Sequence, residues 1–305
     1  VSLASAKVRT IFETAKHSLN IFSKKRIFLA ARPKQWRFLL ISLVGWLCCP
    51  TILPYPILFP YPSRMLLTSR CIVLHTLRYG DDAIIAHVLT EVAGYVTFII
   101  RVTHARRARS QHVFFQPFAL LDIAWEERPR SSMQRPKSVS VATPLVSVPF
   151  EMGKRGIALY LAEFLYHALR SEPASPSLFA YIYHSIEWLD ATRGSVANFH
   201  LVFLLRLTRF LGLFPEVRAV EPDSYFDLST CTFSVLKPAH PHFLTPEEAA
   251  RLPLLLRMRY ETMHLFVLSA AERSRFLDLV GAYYQLHCPG FPELKSLQVL
   301  RQLGG

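Results

Sequence analysis

Between residues 65 and 123 the chain breaks into short apolar runs at regular spacing, a pattern that limits the fold more than any other feature of the sequence. The runs are 71–77, 83–89, 95–103 and 118–125, rich in Ile, Val, Leu and Thr. Tyr79-Gly80-Asp81-Asp82 and Gly94 stand in the breaks, where Gly and Asp tolerate the dihedrals of tight turns. Residues 137–142 alternate in the strand manner and give a fifth strand after the polar tip at 126–132. Short strands at this spacing predict a small closed or half-closed β-barrel, and five of them match an OB-fold.

From Gly153 onward the apolar period changes to that of a helix. Ile157, Leu161, Phe164, Leu165 and Ala168 recur at three and four, ended by Pro173 and Pro176. A second helix is expected over 178–191. A third, over 196–211 with Ser195 as N-cap, is apolar nearly all round and therefore central. Residues 225–228 and 232–234 fit a short hairpin. Thr245-Pro246-Glu247-Glu248 and Ser269-Ala270-Ala271-Glu272 are helix starts of the capping-box kind, the second opening a long helix through Leu286. The fold class is thus α+β: a five-stranded OB-type barrel at 65–150, an all-α domain at 151–305, and residues 1–64 outside the fold. The segment 143–151, with Pro144 and Pro149, reads as an extended linker.

The net charge of +13 is unevenly distributed. Residues 1–64 hold ten Lys/Arg and one acid, residues 65–150 ten and six, and residues 151–305 fifteen of each. The local pattern is therefore more informative than the total. Arg101, His104, Arg106, Arg107 and Arg109 fall within nine residues with no acid among them, followed by Gln111. Guanidinium forks match phosphate oxygens in a bidentate way, so an Arg-rich loop on a small barrel suits a phosphate backbone. A solvated loop protecting a sheet edge accounts for the same spacing equally well.

The stretch from Leu66 through Asp122 resembles the N-terminal domain of the bacterial RecO family of recombination mediators. The resemblance is carried by Ile72-Val73-Leu74 with Tyr79-Gly80, by Leu89-Thr90-Glu91 to Gly94, by Ala105-Arg106-Arg107-Ala108-Arg109-Ser110, and by Gln116-Pro117-Phe118 with Leu120-Leu121-Asp122. It continues through 197–212, Tyr283-Tyr284 and 294–300, covering about 240 residues. It implies an OB-fold followed by a helical domain. It also implies a role in DNA repair: holding single- and double-stranded DNA, engaging the acidic C-terminal tail of the single-strand-binding protein, contacting RecR through the OB domain, annealing strands and assisting recombinase loading in the cytoplasm at the nucleoid.

Candidate DNA contacts on the barrel are Arg70, Arg78, Arg101, His104, Arg106, Arg107, Arg109, Gln111, Arg135 and Lys137, with Tyr79, Tyr95, Phe98, Phe114 and Phe115 as possible stacking faces. For each aromatic, core packing is the competing use, most clearly for Phe98 in its alternating strand. The resemblance implies an apolar pocket with a basic rim for the acidic tail. Either Arg206 and Arg209 or Arg257 and Arg259 could supply that rim, and ordinary surface charge explains both pairs as well.

Catalytic signatures are missing: the sequence has no GxxxxGK[ST], GxSxG, HExxH or CxxC, so no enzyme activity, no cofactor and no small-molecule substrate are expected. His200 reads as a packed histidine. Many RecO proteins carry a four-cysteine zinc site in the region that here holds only Cys231, so no zinc is expected. Five scattered cysteines suit reduced thiols in a cytosol. Residues 1–64 differ in character: a basic stretch precedes an uncharged run, 38–63. That run is long enough to span a bilayer, for which ~20 apolar residues suffice. Five prolines from Pro50 to Pro62 oppose one continuous helix. Met65 stands where the barrel begins and Val1 is an unusual initiator, so residues 1–64 are read as mistaken upstream translation. The alternative is a membrane-tethered interaction protein anchored by residues 38–59.

Overall fold

The computed structural model describes residues 65–101, 114–128, 130–215, 217 and 223–303. All belong to the second of two compact units, Pro62–Gly305. Five strands, β1 (Leu66–Arg78), β2 (Ala83–Thr90), β3 (Gly94–Arg101), β4 (Leu120–Glu126) and β5 (Pro136–Thr143), form an antiparallel sheet in the order β3-β2-β1-β4-β5. The backbone of Gln134 curls the sheet into a barrel by bonding to β3 on both sides, donating to Thr97 O at 2.8 Å and accepting from Ile99 N at 2.9 Å.

β1 is the longest of these strands, with 13 residues, because it serves two partners. Its first half pairs with β4 and its second with β2. Cys71 and Val73 point into the barrel with Val88, Phe98, Ile123 and Trp125, where Phe98 and Trp125 meet edge to face at 5.4 Å. Ile72 and Leu74 point the other way, into the core of the helical half. Four consecutive residues of β1 are therefore buried on alternating faces, each at most 1% exposed. Strict polar alternation disappears from a strand whose two faces are both covered. A bulge at Leu74 breaks the register between Val73 and His75, and His75 packs on Tyr166 at 4.7 Å.

The helical half comprises α1 (Met152–Ala168), α2 (Pro176–Ala191), α3 (Phe199–Phe210), α4 (Pro246–Arg257), α5 (Ala270–His287) and α6 (Ser296–Gln302). A three-stranded sheet of β6 (Tyr225–Asp227), β7 (Thr232–Ser234) and β8 (Phe243–Leu244) joins α3 to α4. Thr245 and Ser269 form complete capping boxes with Glu248 and Glu272, as their sequence spacing predicts. α3 is central, with Phe199, Val202, Phe203, Leu204 and Leu207 all at most 1% exposed.

Four sequence expectations are corrected. Ser195 does not cap α3: the helix begins at Phe199 behind Asn198, whose side-chain amide donates to Met263 O and Phe266 O and so ties α3 to a distant loop. Pro176 opens α2 at its first turn instead of closing α1, because a missing N–H costs nothing there. Phe118 is not in a strand. It sits in a turn with φ +66°, fully buried, and β4 starts two residues later. The expected linker is a fixed turn. Asp190 of α2 accepts from the backbone N–H groups of Val146, Ser147 and Val148 at 2.8–2.9 Å, and buried Lys154 donates to Ser147 Oγ at 2.8 Å and Thr192 O at 2.7 Å.

The barrel meets α1 along an aromatic and imidazole seam. His75 of β1, His87 of β2 and Tyr95 of β3 lie against Tyr166, with His167 and Glu163 on the same helix and Arg170 just past its end. Burial pushes the imidazoles of His75, His87 and His167 below their ordinary pKa, His87 to about 4. Arg170 opposes protonation of His87 and His167, whereas Glu163 favours protonation of His75 and His167. The unfolded chain takes up these protons near pH 6.5, so the stability is complete above that pH and falls as pH drops toward 4. His200, pushed to about 3 by complete burial, adds to the same slope. The urea midpoint is expected to fall between pH 7 and pH 5, and to fall less in His87→Phe. A flat midpoint in the parent would remove the seam as an acid-sensitive joint.

Candidate nucleic-acid and partner interface

The barrel's candidate cations divide by what already holds them. Arg70 is spent within the fold: its guanidinium makes two 3.0 Å bonds to Glu91 and lies over the rings of Tyr183 at 5.0 Å and Phe179 at 5.9 Å. It joins β1 to the β2–β3 turn and to α2. Gly94 in that turn has φ +70°, and a Cβ there would come within 3.0 Å of the Ala174 backbone, so only glycine allows this close approach. Lys137 pairs with Glu126 across the β4–β5 connection. Arg78, Arg101 and Arg135 are exposed and carry no ion pair among the described residues. Arg78 sits opposite Ile84 and Arg101 opposite Ala83, so they flank the first residues of β2 at one end of the sheet. His104, Arg106, Arg107, Arg109 and Gln111 lie outside the described residues.

Most of the proposed stacking faces are used internally. Phe98 and Phe115 are core residues, and Tyr95 is held in the seam against His87 and Tyr166. Tyr79 is 56% exposed at the β1–β2 turn, and Phe114 is half-buried. The sequence reading missed Phe150, which is 76% exposed after the Ser147 turn. No periodic pattern marks it, because its exposure follows from the turn that Asp190 holds.

On the helical half the four arginines left open as two alternative pairs come together. Arg206 and Arg209 are one turn apart on α3, Arg257 ends α4, and Arg259 follows it. With Tyr181, Phe210, Leu256 and Met258 they line a cleft of about 520 Å³ with no carboxylate among the described lining residues. Tyr181 and Phe210 stack at 4.7 Å and form an aromatic wall. Buried bonds fix that wall: Tyr181 Oη donates to Phe203 O at 2.8 Å, and Tyr260 Oη donates to Ser185 Oγ at 2.9 Å. Arg206 lies over the Tyr260 ring at 5.6 Å and Arg209 over Phe214 at 4.2 Å, which orients both forks without neutralising them. Apolar walls with several unneutralised guanidinium groups suit an anion that also carries an apolar side chain.

His200 is fully buried, edge to face with Tyr160 at 6.4 Å, and burial holds it neutral, in keeping with a packed residue. Cys231 takes φ +56° in the β6–β7 turn, with Sγ 3.4 Å from Tyr283 Oη and 4.0 Å from His287 Nε2. Among the described residues no three or more His, Cys, Asp or Glu side chains are grouped to hold a metal ion. No described helix is long and apolar enough to cross a membrane, and residues 38–59 lie outside the described residues.

An OB-type barrel joined through a shared strand to a helical half with its own basic cleft defines a two-domain class of nucleic-acid-binding proteins. The family model described as Recombination protein O N terminal matches residues 65–145, and Recombination protein O C terminal matches residues 151–298. The chain is 46% identical to the DNA repair protein RecO of Bacteroides fragilis over 233 residues, which are 76% of this chain and 96% of that protein. It is 45% identical to that of Phocaeicola vulgatus over 232 residues, again 76% and 96%. With that of Porphyromonas gingivalis it shares 34% over 244 residues, 78% of this chain and 99% of the other. The chain belongs to the RecO family of DNA repair and recombination proteins.

Proposed function

We propose that this chain mediates recombinational repair by holding single strands, and secondarily duplex, along the barrel while the arginine cleft of the helical half takes the acidic C-terminal tail of the single-strand-binding protein. The observation that supports this reading is the convergence of Arg206, Arg209, Arg257 and Arg259 around an aromatic wall with no carboxylate among the described lining residues. Holding the strand and its binding protein at two separate sites lets one molecule capture coated DNA, anneal it to a complement and, with RecR on the barrel side, assist recombinase loading. No bond is made or broken in this scheme. The place of action is the cytoplasm, at the nucleoid. Family membership disfavours the membrane-tethered alternative.

On the barrel, Arg78, Arg101 and Arg135 supply phosphate contacts in addition to those of the tract at 104–111, whereas Arg70 and Lys137 act through the fold. Fluorescence anisotropy of a labelled single strand with the full chain tests this division. Three lost phosphate contacts reduce the slope of log affinity against log salt by about 2 units, at ~0.7 per contact on a single strand. Arg106, Arg107 and Arg109 changed together to Ala are expected to produce that drop. An unchanged slope would move the strand to another face.

A further inference from the structure

Among the described residues, backbone bonds close the barrel over only part of its length. Gln134 bonds to β3, but farther along β5 the residue Val141 is 43% exposed although its register partner Leu121 is 1% exposed. A cleft of about 700 Å³ opens there. Phe114, Pro117, Leu121, Val141, Phe150 and Leu159 are among its lining residues. Among the described residues its lining carries one cation, Arg155, and no carboxylate.

Phe150 is the most exposed Phe, Tyr or Trp among the described residues. Its backbone is nonetheless fixed, with its N–H bonded to Ser147 O at 2.9 Å inside the turn that Asp190 and Lys154 hold. Arg155 is likewise fixed by a 2.9 Å bond from Nε to Pro149 O. A rigid turn presenting a bare ring above an apolar cleft is organised before its ligand arrives, which lowers the ordering cost of binding. Large exposed apolar patches of this kind mark binding surfaces.

We infer that this cleft takes an unstacked base of the bound single strand, with Phe150 as its stacking face and Arg155 as the cation beside it; the inference rests on the strand-binding reading above. Two observations favour a base over an apolar protein side chain. Single-strand-binding barrels combine charge with aromatic stacking, and the burial of Phe98, Phe115 and Tyr95 leaves this barrel few other platforms. The cleft is also continuous in sequence with the basic tract, since Phe114 follows Arg109 by five residues, and the one charge among its described lining residues is complementary to a polyanion.

The test uses the full chain, labelled oligothymidylate, and an abasic strand of the same length and charge. Phe150→Ala is expected to weaken oligothymidylate binding roughly 5- to 100-fold, the range for one lost base–aromatic stack. Affinity for the abasic strand is expected to stay unchanged. In Phe150→Trp, oligothymidylate is expected to quench emission beyond the change seen in the parent, and the abasic strand is not. Equal effects on both strands, or binding without any effect at residue 150, would overturn the base assignment and leave strand binding intact. Loss of all binding in the parent would remove the strand-binding reading and this inference with it. A concentration-dependent dimer that Phe150→Ala dissociates would assign the cleft to a second copy of the chain and overturn the inference.

Discussion

Arg206→Glu combined with Arg209→Glu is expected to abolish measurable binding of an acidic peptide ending in an apolar residue. Charge-assisted hydrogen bonds contribute about 1.5–3 kcal/mol each, so losing two costs on the order of a hundredfold or more in affinity. Reversal adds repulsion to that loss. Both side chains line the cleft from α3 and make no ion pair among the described residues, so their removal breaks no salt bridge there. Arg257→Ala and Arg259→Ala are expected to act in the same direction with smaller effects, since they enter from the end of α4 and beyond. Calorimetric titration of the tail peptide, set beside strand anisotropy on the same variants, separates the two sites. If the double variant lost strand binding and kept the peptide, the cleft would belong to DNA.

Asp190→Ala is expected to lower folding stability by about 2–5 kcal/mol, a large effect for a half-buried position. One carboxylate satisfies three backbone N–H groups, and its removal strands them together. It also withdraws a charge from the neighbourhood of Lys154, which is 3% exposed. Burial alone raises the Asp190 carboxyl, but the bonds from Val146, Val148 and Ser147 outweigh it and hold the group below its ordinary range. The carboxylate's contribution is therefore present above about pH 4 and is lost as the pH falls further. Asp190→Asn keeps one acceptor and should recover part of the loss. Chemical denaturation at pH 7 measures both variants, and a cost for Asp190→Ala under ~1 kcal/mol, an ordinary single bond, would show that the turn holds without its anchor.

The barrel's strands could be read from the sequence because turn residues punctuate them: Gly80 and Gly94 both take positive φ in the turns predicted around them. The starts of α4 and α5 could be read because capping boxes are local. What stayed hidden was set by contacts remote in sequence. Asn198 serves a loop 65 residues away and so displaces Ser195 as the cap. Arg70 looked like a phosphate ligand because Glu91, 21 residues on, leaves no local signal. The two arginine pairs remained alternatives because nothing local says that the end of α4 reaches α3. Phe150 escaped notice because an exposed ring on a held turn has no sequence period at all.

β1 leaves the molecule without a hinge where one is usually placed. A strand that contributes Cys71 and Val73 to one core and Ile72 and Leu74 to the other cannot be released from either without opening both. Barrel and helices are therefore expected to melt in a single transition, and a second transition in calorimetry would show that the halves part. Mass action then works across the whole chain: a strand seated on the barrel stabilises α3 and the arginine cleft by the full binding term, with no moving part between them.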